Sequence, residues 1–368
     1  MVNRFGNQFT FSPFGESHGK CVGALVDGCP AGLELSEQDF QKILTLRVPR
    51  IPGLVSSRIE QDKVEVLSGL FNGFTTGAPI CLLAWNRDIE DSSYEEIRFQ
   101  PRPGHADYTA WERYGGFNDY RGGGMFSGRI TVAYIMAGVI ALKLLKKIGI
   151  EVLAHTTQID GVKIETPPNF DEIKANRYKS PVRCAEKKTS EKMIKQILKA
   201  KTEEDSVGGV IQGIILNPPA GIGDPIANSL DADLAQLLYT IPGVKGVEVG
   251  AGFRSAEMRG SQSNDPYIIQ EGKIVTPTNN AGGIIGGLTT GMPIIVNIAF
   301  KPTSSIGKEQ KTLDLKTMNE TQITIKGRHD PCIIPKAVPV VEASLGLVLI
   351  DHLIMMGKIP RTLGRKKG

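Results

Sequence analysis

Two apolar stretches, Ile130 to Leu145 and Val338 to Met356, restrict the fold of this chain more than any other feature. A helix that is apolar all round has to be covered on every side, by protein or by lipid. A membrane span needs about 20 mostly apolar residues. The first stretch is short and carries Lys143, and the second carries Glu342, Asp351 and His352. Both therefore read as core helices, and no membrane role is expected. The N-terminal "MVNRFGNQFTFSPFGESHG" has no unbroken apolar core of signal-peptide type.

With 368 residues the chain can bury such helices in a large core. Short β-branched runs at 21–27, 64–67, 207–216, 244–249 and 294–300 read as strands. Ser36 is placed to cap a helix within Leu35 to Leu46, with helical spacing at Phe40, Ile43 and Leu44. "SEKMIKQILKAKTEED" reads as a helix capped by Ser190 with a charged face, and "LDADLAQLLYTI" as a helix ending before Pro242. Residues 160–190, rich in Lys and Pro, read as a surface excursion and not a linker, because motifs lie on both sides. The expected class is mixed α/β (α+β), with no readable strand order. One internal echo recurs: "GCPAGLELSEQDFQKIL" from Gly28 and "NPPAGIGDPIANSLDADLAQLL" from Asn217 each set Pro-Ala-Gly between a strand and a capped helix. Two copies are too few for a solenoid, and they leave a duplicated half open.

The net charge of +4 is too modest to argue for a nucleic-acid partner. Cys21, Cys29, Cys81, Cys184 and Cys332 are scattered, without C-x-x-C, so neither a disulfide framework nor a zinc site is indicated. That usage fits a reducing cytoplasm.

The stretch "RGGGMFSGR", 121–129, has the ingredients of an anion cradle. Glycine allows positive φ and close backbone approach, and successive N–H groups of such a turn can face one phosphate. Arg121 and Arg129 add charge, and an apolar helix follows, whose N-terminus favours anions. It is neither a P-loop nor a dinucleotide fingerprint. Taken alone, a glycine run equally marks a plain turn.

Three of the five histidines, His18, His105 and His329, lie in Gly/Pro-rich loops beside charged residues, where catalysis tends to sit. His155 and His352 lie in apolar stretches and read as satisfied core or surface histidines. No H-E-x-x-H spacing appears, and Glu16 with His18 is a weak ligand pair, so no metal is expected. Ser17, His18 and Asp330 would suit a hydrolase triad, but no G-x-S-x-G elbow is present. Arg47, Arg50, Arg102, Arg121, Arg129, Arg259 and Arg328 all fall in or beside Gly/Pro loops. Arginine suits bidentate contact with carboxylates and phosphates, and the set points to a polyanionic small ligand. "FKPTSSIGK", from Phe300, adds a candidate second phosphate site, and "NNAGGIIGG", 279–287, another close backbone approach. The chemistry alone implies an enzyme that binds one or two phosphorylated, carboxylated molecules, with two or three histidines moving protons. A phosphotransferase or phosphatase would need a nucleotide or metal dependence that no motif here supports.

Taken together and in order, "FGESHG" (14–19), "DGCPAGL" (27–33), "VEVLSG" (64–69), "RPGHADYT" (102–109), "DYRGGG" (119–124), "VKGVEVG" (244–250), "MRGS" (258–261), "NNAGGIIGG" (279–287), "KPTSS" (301–305) and "GRHDPC" (327–332) resemble the chorismate synthase family. The resemblance spans nearly the whole chain. It implies a single domain over 1–368 in which helices are sandwiched between antiparallel β-sheets, assembled as a cytoplasmic homotetramer. The implied reaction is conversion of 5-enolpyruvylshikimate 3-phosphate to chorismate, the last common step toward aromatic amino acids. It is a 1,4-elimination of phosphate and a proton that requires reduced FMN without net redox change. Some members reduce the flavin with NADPH and others rely on an outside reductant; the lack of a pyridine-nucleotide fingerprint favours the second. No nucleic-acid or membrane partner is implied.

By the family's pattern His18 lies near the leaving phosphate as acid, and His105 near the reduced flavin, managing its charge. Asp330, Ser17 and Ser127 assist proton handling. Flavin contacts fall on Met125, Phe126, Ser127, Pro242, Gly243, Gly286, Lys301, Pro302, Thr303, Ser304, Ser305 and Arg328. Arg47, Arg102 and Arg129 are the candidates for substrate anions. Two departures stand out: Met125 and Phe126 replace a usual arginine and small residue, and Val48 stands where a basic residue is expected. A charge-assisted hydrogen bond contributes about 1.5–3 kcal/mol, so weaker ligand binding is expected unless another cation, with Arg50 the candidate, compensates.

Overall fold

The computed structural model describes residues 3–48, 62–87, 92–325 and 329–364. In the first half the elements are β1 (Thr10–Gly15), β2 (Cys21–Asp27), α1 (Glu37–Arg47), β3 (Val64–Val66), β4 (Leu70–Phe71), β5 (Phe74–Thr75), β6 (Ile80–Trp85), α2 (Ser92–Glu96), α3 (Asp107–Tyr114) and α4 (Thr131–Lys147). The second half contains β7 (Glu151–Ile159), β8 (Val162–Lys163), α5 (Phe170–Asn176), α6 (Lys187–Thr202), β9 (Gly209–Leu216), α7 (Leu230–Tyr239) and β10 (Val244–Val249). It continues with α8 (Gly260–Ser263), β11 (Ile268–Gln270), β12 (Lys273–Val275), β13 (Ile284–Ile285), β14 (Leu288–Thr289), β15 (Ile294–Phe300), β16 (Gln310–Asp314), β17 (Asn319–Ile323) and α9 (Ile334–Met355).

The two apolar stretches become α4 and α9 and pack on each other at the centre. By length and composition both could cross a membrane, yet 78% and 89% of their apolar windows are buried inside the molecule. α4 rests on β1, β2 and β6, α9 rests on β7 and β9, and α1 and α7 fill in beside them. Helices are thus sandwiched between two sheets, as the resemblance implied. The crossing of α4 and α9 needs Gly138: a Cβ there would lie 2.3 Å from that of Ala343. Glycine in a helix costs about 1 kcal/mol relative to alanine, offset here by close packing of two long apolar faces.

The charges that argued against a span are satisfied in the core. Asp351 accepts from the backbone N–H groups of Asn7, Gln8 and Phe9 at 2.8, 2.7 and 2.8 Å. Glu342 accepts from Ala154 N at 2.9 Å, Arg177 Nε at 2.9 Å and Tyr178 Oη at 2.7 Å. His352 Nε2 meets Asp233 at 2.9 Å, and His155 Nε2 lies 3.4 Å from the Gln212 amide. Both are buried, as core histidines should be.

Strand order explains the internal echo. One antiparallel sheet runs β1-β2-β6-β3, and the other runs β7-β9-β15-β10 with β8 appended at its edge. The four core strands of the second repeat the order of the first, strand for strand. Thr75 Oγ1 donates to Pro30 O and accepts from Leu33 N, and Thr289 Oγ1 donates to Pro219 O and accepts from Ile222 N. Each Pro-Ala-Gly turn is therefore pinned by a threonine from a two-stranded hairpin in its own half.

Several readings of the sequence are corrected by the structure. α6 starts at Lys187, not after Ser190, because the Glu186 carboxylate accepts from the Lys188 and Thr189 N–H groups at 2.8 Å. Ser190 lies inside the helix, where its hydroxyl pairs with Ser180. The 160–190 excursion is only partly superficial: Val182 and Cys184 enter the core, and Thr156 N donates to Arg183 O. The run 207–216 becomes a strand only from Gly209.

Candidate active site

Duplication places the N-terminal turns of α4 and α9 at one cleft of about 1440 Å³, lined by Thr131 and Tyr134 from the first helix and Lys336, Ala337 and Val340 from the second. The helix dipoles give both ends a partial positive charge that favours anions. The loops before β2, before α3, before α4, after α7 and after β15 supply the remaining walls. A cleft of this size exceeds the usual 300–1,000 Å³ of a one-ligand pocket and has room for two small molecules side by side.

The triple glycine meets the loop histidines here. Gly122, Gly123 and Gly124 all have positive φ, at 57°, 84° and 53°. A Cβ on Gly122 would lie 2.1 Å from His18 Nδ1, and one on Gly123 would lie 2.9 Å from His105 Nε2. The glycines thus make room for two imidazoles as well as turning the chain. Gly124 O accepts from Ser17 N at 3.1 Å, which ties the His18 loop to the glycine loop. Tyr94 packs edge-on against His18, with centroids 5.1 Å apart. Ser127, Met125 and Phe126 line the cleft, and Ser127 Oγ accepts from Arg129 N at 3.3 Å.

Asp107, the first residue of α3, binds both Arg102 and His105. Its Oδ2 accepts from Arg102 N at 3.0 Å and Nε at 2.7 Å, and its Oδ1 from Arg102 Nη2 at 2.8 Å. His105 Nδ1 lies 2.6 Å from the same Oδ1. Burial works to raise the Asp107 carboxyl, but the hydrogen bonds from Arg102 and His105 outweigh it and hold the group far below the usual carboxylate range. Burial pushes the His105 imidazole below its ordinary value, with Arg102 and Lys301 acting the same way against the pull of Asp107. The Arg102 fork assigned to a substrate anion is thus held by Asp107, and Nη1 turns to Ser305 Oγ at 3.1 Å.

Lys301 Nζ donates to Gly104 O at 2.8 Å and Ser304 Oγ at 2.6 Å. Burial, then the neighbouring Lys245 ammonium, pushes Lys301 down. Two lysines repelling one another at a cleft wall favour an anion between them. Thr303 Oγ1 donates to Asp330 O at 2.9 Å, and Lys336 Nζ holds the Asp330 carboxylate at 2.7 and 2.8 Å. Pro242, Gly243, Pro302, Ser305 and His329 complete this wall.

Arg129 and Arg47 converge on Asp62: Arg129 Nη1 bonds one oxygen, and Arg47 Nη1 lies 3.7 Å from the other. Arg129 Nε donates to Asn86 Oδ1 at 2.9 Å, while Asn86 Nδ2 donates to Glu16 O at 2.9 Å and Gly19 O at 2.7 Å. One amide therefore couples the His18 loop to the anion arginine. Arg129 Nη2 is buried with no hydrogen-bond partner among the described residues. A buried guanidinium donor left unmade is costly, and a ligand oxygen in the cleft would satisfy it.

The cleft lining gathers most of the residues singled out in the sequence, but His18, only 6% exposed, lies against Gly122 and outside that lining. Gly286 is another exception: it sits in the β13–β14 turn, and its neighbour Gly287 packs on Ser229 at the start of α7, whose far end reaches the cleft about 15 Å away. Arg259 also stands outside the cleft lining, and Arg121 pairs with Asp119 at 2.9 Å. Arg50 and Arg328 lie outside the described residues. Sequence reasoning missed Asp62, Asn86, Asp107, Lys245 and Lys336. Asp107 and Lys336 were within reach, being two residues from His105 and six from Asp330. Asp62 and Asn86 gave no local signal, since their partners are 67 and 43 residues away.

A family model described as chorismate synthase matches residues 9–354. A chorismate synthase of Korarchaeum cryptofilum is 52% identical over 350 residues, covering 95% of this chain and 97% of the relative. One from Dehalococcoides mccartyi is 48% identical over 363 residues, covering 99% and 100%. One from Methanosarcina barkeri is 49% identical over 362 residues, covering 98% and 99%. A crystal structure of a chorismate synthase matches with a TM-score of 0.76 at 29% identity, covering 95% of this chain and 93% of that one.

Proposed function

This chain belongs to the chorismate synthase family and is a lyase, and from that premise we propose that it converts 5-enolpyruvylshikimate 3-phosphate to chorismate by 1,4-elimination of phosphate and a proton, with reduced FMN required. The observation that carries the reading is one cleft with two separate sets of cations, each beside a loop histidine. Arg129 and Arg47 stand on the His18 side, and Lys301 and Lys245 on the His105 side. Substrate and flavin each bring a phosphate, and the substrate adds two carboxylates.

The residues present fit a flavin. Met125, Phe126, Pro242, Ile333 and Val340 offer apolar walls to a ring system, and Lys301, Lys245 and the hydroxyls of 303–305 suit its phosphate. Reduced flavin, when bound, supplies the electron-rich ring and the nitrogen that receives the substrate proton. In this reading His18 gives its proton to the leaving phosphate held by Arg129, with Asn86 linking the His18 loop to that arginine. Asp330, braced by Lys336, and the hydroxyls of Ser17 and Ser127 orient and relay protons. The missing pyridine-nucleotide fingerprint supports reduction by an outside agent over NADPH.

Homotetramer assembly is supported by apolar side chains left exposed on the outer side of the first sheet, Leu25, Leu67 and Trp85, and on the β11–β12 hairpin, Ile269 and Ile274. A cytoplasmic setting is supported by five free cysteines. The test is an anaerobic assay with 5-enolpyruvylshikimate 3-phosphate and chemically reduced FMN, following chorismate absorbance. Product formation is expected. A folded, assembled chain that makes none would overturn the reading in favour of a diverged relative whose activity was lost with the changes at Val48, Met125 and Phe126.

A further inference from the structure

The carboxylate of Asp107 takes four hydrogen bonds, two on each oxygen, which exhausts its acceptor sites. Three come from Arg102 and one from His105. Arg102 Nη2 also lies 3.2 Å from His105 Nδ1, so two groups compete for that nitrogen. Charge decides the contest. An ionised carboxylate has no proton to give, and a lone pair on Nδ1 at 2.6 Å from Oδ1 would face it with repulsion. The proton between them therefore belongs to Nδ1. The guanidinium is spent on the same carboxylate and on Ser305.

The other ring nitrogen is then determined. His105 Nε2 makes no hydrogen bond among the described residues, lies over Gly123, and the ring lines the cleft. A charged imidazolium is disfavoured there, since Arg102 already neutralises Asp107 and Lys301 stands nearby. Resting on the reading given under Proposed function, we propose that Asp107 is a positioning residue for the reaction: it holds His105 as the neutral Nδ1–H tautomer, so that Nε2 faces the bound ligand as a hydrogen-bond and proton acceptor. His105 in its resting state then receives from an N–H or O–H of the ligand. A proton arriving at Nε2 would leave an imidazolium paired with Asp107.

The first test needs neither flavin nor activity. The full chain, with ¹⁵N-histidine and free of ligand, is examined near neutral pH by two-bond ¹H–¹⁵N correlation, His105 being assigned from the His105→Gln variant. The expected pattern is a proton on Nδ1 and a bare Nε2. The second test is a double-mutant cycle: Asp107→Asn is expected to lower kcat by about a hundredfold in the wild-type chain and by less than about threefold in the His105→Gln background. An Nε2–H or cationic His105 in the wild-type chain overturns the proposal, and so does an undiminished cost of Asp107→Asn in the His105→Gln background. A chain that makes no chorismate would sink the functional reading while leaving the tautomer result intact, so the two failures are distinguishable.

Discussion

Gly122 stands against His18 so closely that a methyl group on its Cα would lie 2.1 Å from the imidazole Nδ1 and 2.8 Å from Ser17 Oγ. The loop and the histidine cannot both keep their places if that methyl is present. Gly122→Ala is therefore expected to displace His18 and to strain a residue at positive φ. We expect kcat to fall about a hundredfold, while thermal unfolding shows a loss of only about 1–2 kcal/mol. Near-normal kcat in a folded Gly122→Ala chain would show that His18 is not held by this contact.

Lys336 closes both oxygens of Asp330. A charge-assisted hydrogen bond is worth about 1.5–3 kcal/mol, and its loss would let the carboxylate wander in the cleft wall. Lys336→Met should lower kcat ten- to hundredfold, by that same estimate, and Lys336→Arg should keep activity within about fivefold. Steady-state kinetics of the two variants decide it: equal losses in both would show that charge is not what matters at this position.

His155 carries a pH-dependent part of the stability. Burial pushes its imidazole down to about 4, against the hydrogen bond it donates to the Gln212 amide oxygen and with Arg177 assisting. The unfolded chain takes up this proton near pH 6.5 and the folded chain does not until far lower. Stability from this group is therefore complete above about pH 6.5 and drains as pH falls toward the folded value, by about 2 kcal/mol at pH 5. His155→Gln should flatten the melting temperature across that window. A variant with the wild-type slope would assign the acid sensitivity elsewhere.

Met125 lines the cleft at a position where the family resemblance implies an arginine. Restoring the charge with Met125→Arg should add one charge-assisted hydrogen bond to an anionic ligand and tighten FMN binding about tenfold or more. Fluorescence titration of FMN against both chains measures it. Unchanged affinity would mean that Lys245 and Lys301 already fill the role.

The candidate site is most legible in the sequence where chemistry is local. "GESHG", "RPGHAD" and "KPTSS" each carry their polar groups within a few residues, so His18, His105 and the 301–305 hydroxyls were legible without coordinates. The Arg102 assignment shows the limit. Its loop setting is visible, but only the fold reveals that Asp107 holds the fork and ties it to His105. The Ser190 cap failed for a related reason: Ser is a good cap in isolation, yet Glu186 reaches two N–H groups and starts the helix earlier.

What this sequence determined by itself was periodicity and punctuation. The apolar runs that must be buried, the strands between glycine turns and the repeated Pro-Ala-Gly all depend on neighbours along the chain, as does the ordered motif set that marks the family. What only the tertiary structure decided is which distant groups share a charge or a volume. The Asp62 bridge between Arg47 and Arg129, the Asn86 link from Arg129 to the His18 loop, and the fit of Gly122 against His18 join residues with no spacing rule between them. Electrostatic and packing energies fall off with distance in space, not with separation in sequence, so these relationships are settled only when the two halves of the fold close around the cleft.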